Sequence, residues 1–165
     1  MSSLKPADDV SRALAAAARY VRTSVRSTHE LRAYLHRRGV SPDTAARVVT
    51  EGERRGWVDD RACARLWAEQ WSRQGYAWAA IRLKLSAKGL HEHTIKDAAN
   101  RLGMSSDDEA RARLVAASYL RRHKGRPGRQ AGRLARTLAS RGFGSDLIER
   151  VLNESFGSPH SDAER

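Results

Sequence analysis

One pattern occurs three times in this chain: a leucine, two intervening residues, Arg or Lys, then glycine and an apolar residue. The copies are Leu35–Val40, Leu85–Leu90 and Leu138–Phe143, and their glycines, Gly39, Gly89 and Gly142, are spaced 50 and 53 residues apart. With the glycines superposed, further columns agree without a gap. Leu31, Ile81 and Leu134 stand eight residues before, and Leu35, Leu85 and Leu138 four before. Ala45, Ile95 and Ile148 stand six after; Val48-Val49, Ala98-Ala99 and Val151-Leu152 stand nine and ten after. A period near fifty residues marks an array of one supersecondary unit, because no single unit can bury its apolar face alone.

The columns have a helical reading. Residues four apart share a helix face, so Leu31 and Leu35 face one side. Gly39, Gly89 and Gly142 then fall just past a helix end, where the left-handed conformation excludes a Cβ, and Leu35 with Val40 forms the apolar contact of a Schellman stop. Arg38, Lys88 and Arg141 sit where a helix C-terminus favours positive charge. A second helix follows at once: Ser41-Pro42 is an N-cap with proline at the first helical position, and Gly144-Ser145-Asp146 offers caps for the third copy. A further helix precedes each pair. The first spans roughly Ser11 to Arg22 and leads to the capping box Ser27-Thr28-His29-Glu30. The second starts at Asp59-Asp60 and carries Cys63, Trp67 and Trp71 at four-residue spacing. The third, capped within Ser105-Ser106-Asp107-Asp108, runs to about Arg122 with Leu114, Ala117 and Leu120 inward. No segment alternates with the period of a strand. The reading is all-α: three tandem three-helix units over 9–58, 59–104 and 105–155, with disordered tails at 1–8 and 156–165.

The 165 residues carry a net charge of +12, which argues for a polyanion or an acidic protein surface as partner. The basic residues concentrate in Tyr119–Arg136: Arg121, Arg122, Lys124, Arg126, Arg129, Arg133 and Arg136 lie within a stretch, Ala110 to Ser145, that holds no Asp or Glu. Arg126-Pro127-Gly128 predicts an irregular loop there. The stretch is either a contact for phosphate or acidic groups or a solvated linker, and the lack of local neutralisation favours contact. Arg22, Arg26, Arg37, Arg38, Lys88 and Arg141 are secondary basic candidates, with the helix-end role favoured for Arg37-Arg38 and Arg54-Arg55.

Several chemistries find no support. Cys63 is the only cysteine, so no internal disulfide forms, and it reads as a small core residue. His91 and His93 are two apart at a helix start and diverge, so no metal is expected. Asp59 and Asp60 read as helix caps. The tryptophans follow helical spacing and are expected in the core rather than stacked on bases. No phosphate-cradling glycine loop is present, no cofactor is expected, and nothing supports an enzyme. The longest apolar run near the start is too short for a secretory signal and nothing approaches a membrane span, so a cytoplasmic protein is expected.

Four stretches in order resemble the RecX family: "STHELRAYLHRRGV" (27–40), "GWVDDRACA" (56–64), "IRLKLSAKGL" (81–90) and "LASRGFGSDLIERVL" (138–152). The likeness covers roughly residues 12–153. Departures fall at packing positions: Cys63 where the family usually has phenylalanine, Thr137 where an aromatic is usual, and no tryptophan in the third unit's first helix. The resemblance implies an elongated, curved, all-helical, non-enzymatic body, and a monomer is expected. It implies binding to the RecA recombinase or the RecA–DNA filament, damping of its ATP hydrolysis and strand exchange, a place in recombinational repair and the SOS response, and contact with single- or double-stranded DNA. The residues alone also admit a helix-turn-helix reader or a non-specific single-strand binder without a RecA role. Against the former, the second-helix starts "SPDTAAR", "HEHTIKD" and "GSDLIER" are mixed or acidic and suit guanine poorly.

Overall fold

The computed structural model describes residues 6–104 and 107–157, and these contain helices and no strand. The helices are α1 (Pro6–Val21), α2 (Thr28–Arg37), α3 (Pro42–Arg54), α4 (Asp60–Arg73), α5 (Trp78–Ala87), α6 (Glu92–Leu102), α7 (Asp108–Arg122), α8 (Pro127–Ser140) and α9 (Ser145–Phe156). They form three successive triplets, here called modules. Helix α1 begins earlier than Ser11, because the fixed φ of Pro6 suits a first helical turn. Of the tails expected at 1–8 and 156–165, residues 6–8 and Phe156 are helical. Apart from Gly157, the remainder lies outside the described residues, as do Ser105 and Ser106.

The three glycine stops form as the pattern predicts. Gly39, Gly89 and Gly142 have φ of 74°, 77° and 85°. At the first, Gly39 N donates to His36 O at 2.9 Å and Val40 N donates to Leu35 O at 3.1 Å, the two bonds of a Schellman stop. The same pair recurs at Gly89-Leu90 and Gly142-Phe143. The helix starts also follow their caps. Ser27 and Glu30 close a capping box on α2, and the Ser41 side chain accepts from Thr44 N ahead of Pro42. Helix α9 differs: its N-cap is Gly144, which offers no side-chain bond.

Two compact units emerge from the contacts. One holds α1 to α3, α4 as far as Trp67, and Leu85–Ala98; the other holds Ala68–Lys84 and the described chain from Ala99 on. In the first, Ala13 and Ala17 of α1 pack with Leu31 and Leu35 of α2 and with Val48 and Val49 of α3. In the second, Ala112 and Val115 of α7 pack with Leu134, Leu138, Phe143 and Val151. The residues eight and four before the glycine are fully buried in every module: Leu31, Leu35, Ile81, Leu85, Leu134 and Leu138. Burial on that scale contributes about 1.5–3 kcal/mol per side chain.

Three expectations change. Helix α7 turns Arg111, Ala112, Val115 and Ala116 inward, while Leu114 is 70% exposed and Ala117 also faces solvent. Its small alanines let the helix approach the core closely, so size rather than hydrophobicity chose the face. The segment after Arg126 is not a loop: Pro127 is the first residue of α8, and Arg129, Arg133 and Arg136 are helical. Proline's missing N–H costs nothing there, since first-turn N–H groups have no intrahelical partner. The four tryptophans are half-buried rather than enclosed, and three lie under cations: Arg55 over Trp57 at 5.0 Å, Lys84 over Trp71 at 5.5 Å and Lys88 over Trp67 at 5.0 Å.

Candidate partner interface

The basic residues singled out from sequence separate into two groups. Arg121, Arg122, Lys124, Arg126, Arg129, Arg133 and Arg136 are all exposed. Among the described residues, none of them has an ion-pair partner. Helix α7 ends at Arg122, four residues turn the chain, and α8 starts at Pro127. Arg126, Arg129, Arg133 and Arg136 follow three- and four-residue steps and so share one face of α8, away from buried Leu134 and Leu138. At about 1.5 Å per residue this stripe is about 15 Å long. The corner at its head is concave, about 460 Å³, with Tyr119, Lys124, Arg126, Arg129 and Arg133 in its wall. The Tyr119 and His123 rings stack at 4.3 Å, and Gln130 Nε2 donates to His123 O at 2.5 Å, tying the turn to α8. The N-cap Arg126 makes no side-chain cap bond and the first turn of α8 holds no acid. Positive side chains therefore add to the positive end of the helix dipole instead of being offset by it. Such a surface holds phosphate or carboxylate groups through charge-assisted, often bidentate arginine bonds.

Half of the six secondary candidates, Lys88, Arg141 and Arg26, are committed elsewhere. Lys88 Nζ pairs with Glu30 Oε1 at 2.7 Å. Arg141 Nη1 donates to Gln74 O at 2.8 Å. The Arg26 guanidinium lies 4.7 Å over the Tyr20 ring and 4.0 Å from Glu30. Arg37 ends α2 and Arg38 is its C-cap; both are exposed, as is Arg22 beyond α1. Arg54 and Arg55 both bind Glu51, and these two bonds hold its carboxyl down at about 2, below the usual carboxylate range.

The glycines and acids mark where helices dock. Asp59 caps its own helix, accepting from Arg61 N at 2.9 Å and Ala62 N at 3.0 Å. Asp60 instead caps α2, accepting from Thr28 N at 2.8 Å and from the Thr28 hydroxyl at 2.9 Å. Asp108 does the same for α5, accepting from Trp78 N at 2.9 Å. Across each dock a helix-end carbonyl accepts a bond in return. Ser27 Oγ donates to Lys88 O at 2.8 Å, and Ala77 N donates to Arg141 O at 2.9 Å. The glycines leave room for the approach. A Cβ on Gly89 would collide with the His29 side chain, and one on Gly142 would lie 2.6 Å from Ala80 Cβ.

Sequence reasoning read Asp60 and Asp108 as caps of their own helices and missed this role of both, and it missed Arg111. The available signal was the recurrence of Asp-Asp at or near the start of each module's first helix. Arg111 is 7% exposed. It donates to Asp108 Oδ1 at 2.5 Å and Met104 O at 2.6 Å, which hold its guanidinium inside the fold. Cys63 is buried, and its thiol donates to Arg26 O at 3.2 Å; burial and nearby Asp60 push its pKa up to about 12, so it is an inert donor. Among the described residues no group of three His, Cys, Asp or Glu could hold a metal, and no helix is long and apolar enough to cross a membrane.

Family models for the first, second and third three-helix domains of RecX match residues 13–51, 59–98 and 107–152, in that order. The chain belongs to the RecX family. A protein named Regulatory protein RecX from Streptomyces coelicolor is 28% identical over 161 residues, covering 96% of this chain and 85% of that one. One of the same name from Thermobifida fusca is 29% identical over 156 residues, covering 93% and 84%. The crystal structure of RecX from Lactobacillus salivarius has the same fold, with a TM-score of 0.72, 20% identity, and 90% and 97% of the two chains covered.

Proposed function

We propose that this chain is a non-enzymatic regulator that binds the RecA recombinase, most strongly as the RecA–DNA filament, and damps its ATP hydrolysis and strand exchange. The observation that carries the reading is the exposed arginine stripe of α8, free of acids, in a chain whose relatives are named as RecX regulators. In this reading the stripe and the α7–α8 corner lie along phosphate or acidic protein groups of the filament. Three modules over 9–58, 59–104 and 105–155 act as one cytoplasmic monomer without cofactor. The cations of the module junctions, Lys88 and Arg141, hold the array together and make no contact with the partner.

The test adds the protein to RecA on single-stranded DNA and follows ATP turnover and strand exchange. Both fall as protein is added, and fall less when Arg126 and Arg129 are alanine. Unchanged turnover and exchange at excess protein would sink the proposal. Binding to bare DNA with no co-sedimentation on RecA filaments would favour a plain single-strand binder.

A further inference from the structure

The docking pattern is used twice and supplied three times. Asp60 and Asp108 open α4 and α7 and Asp9 lies in the first turn of α1, and each is followed four residues on by a buried alanine, Ala13, Ala64 or Ala112. Asp60 and Asp108 each cap the start of the preceding module's middle helix. Opposite those acids, Lys88-Gly89 and Arg141-Gly142 accept the same helix start from the other side. In module 1 the corresponding parts, Asp9 on one side and Arg38-Gly39 on the other, line a single cleft of about 630 Å³ floored by Ala13 and Ala16. A Cβ at Gly39 would meet nothing within 4 Å, whereas at Gly89 and Gly142 it meets the docked helix. Asp9 is half-exposed and pairs with Arg12 at 3.5 Å.

We propose that this cleft is a binding site for the first turn of a helix from another protein, one that begins with Ser or Thr and carries Glu three residues later. The occupant is specified by the copy already filled. There Ser27 gives its hydroxyl to the Lys88 carbonyl, and Glu30, three residues on, pairs with the Lys88 ammonium. Arg38 stands at the position of Lys88, so the glutamate of an incoming helix pairs with Arg38 while Asp9 accepts its N–H groups. A second copy of this chain is a poor occupant. Helix α8, whose start is exposed, runs to 14 residues against 10 for α2 and α5. It opens with Arg126-Pro127, so it brings like charge to Arg12, Arg19 and Arg38 and lacks one N–H. The inference holds whether or not the filament reading stands.

The probe is a helix-stapled peptide with the sequence of residues 26–37, which fills the equivalent cleft natively, titrated into the isotope-labelled full chain. Amide shifts are expected at Asp9, Gly39 and Val40, with a dissociation constant of about 0.1–1 mM for so small a contact. Arg38→Glu weakens binding about tenfold or more, and a peptide with Glu30→Arg binds that variant better than it binds the original chain. Four results overturn the inference: no shifts at about 1 mM peptide, shifts confined to other faces, affinity indifferent to Arg38→Glu, or sedimentation showing dimers that Arg38→Glu dissolves. The last would place a second copy in the cleft.

Discussion

The starts of α2 and α8 occupy the same place in their modules and are finished in opposite ways. Helix α2 is closed by its own Ser27–Glu30 box, capped again by Asp60, and its neighbouring cations Arg26 and Lys88 are held by Glu30 and by aromatic rings. Helix α8 has an arginine N-cap without a side-chain bond, no acid in its first turn, and a row of exposed arginines. The difference separates structural charge from available charge. A cation with a fixed partner in a helix junction contributes to one geometry; a cation without one keeps its interaction energy for a partner. The same contrast holds for the glycines, since Gly89 is roofed by His29 and Gly39 is open.

The comparison breaks most severely if the junctions are not what hold the fold. Gly89→Val forces a β-branched residue into the left-handed region and into His29, and is expected to cost about 3–4 kcal/mol. Gly39→Val, with the same backbone strain and open space, is expected to cost about 1–2 kcal/mol. Equal losses in denaturant melts would mean that the His29 contact carries no weight. Asp108→Ala uncaps α5 and removes the carboxylate from buried Arg111, which keeps Met104 O; a loss of about 2–3 kcal/mol is expected. A melt within about 0.5 kcal/mol of the unaltered chain would show that Arg111 is solvated and the junction loose. Smallest in stability is Arg126→Ala with Arg129→Ala. The melt stays put, while the salt dependence of single-strand binding, plotted as log K against log salt, flattens by about 1.4 for two lost phosphate contacts. An early melt instead would make the stripe structural and erase the contrast with α2.

Much of the fold was legible because each module states its own boundaries. The leucine pair, the cation, the glycine and the apolar residue after it are local requirements of one helix end, and all three copies meet them with the same two hydrogen bonds. The helix start at Pro127 was missed because Arg-Pro-Gly also suits a turn, and only the continuous turns through Leu134 and Leu138 settle it as helical. The inner face of α7 was missed for a different reason. Hydrophobicity ranks Leu114 above Ala112 and Ala116, but close helix approach selects the smaller residues.

What the sequence by itself determined is the repeat: helix content, helix ends, the three modules and the placement of uncompensated charge, all set by interactions within about ten residues. Only the tertiary structure decided which charges are spent. Asp60 and Asp108 look like caps of their own helices and act on the preceding module, and Lys88 finds Glu30 across 58 positions. Pairing of that kind depends on which surfaces meet, and a chain records its surfaces one residue at a time without recording their neighbours.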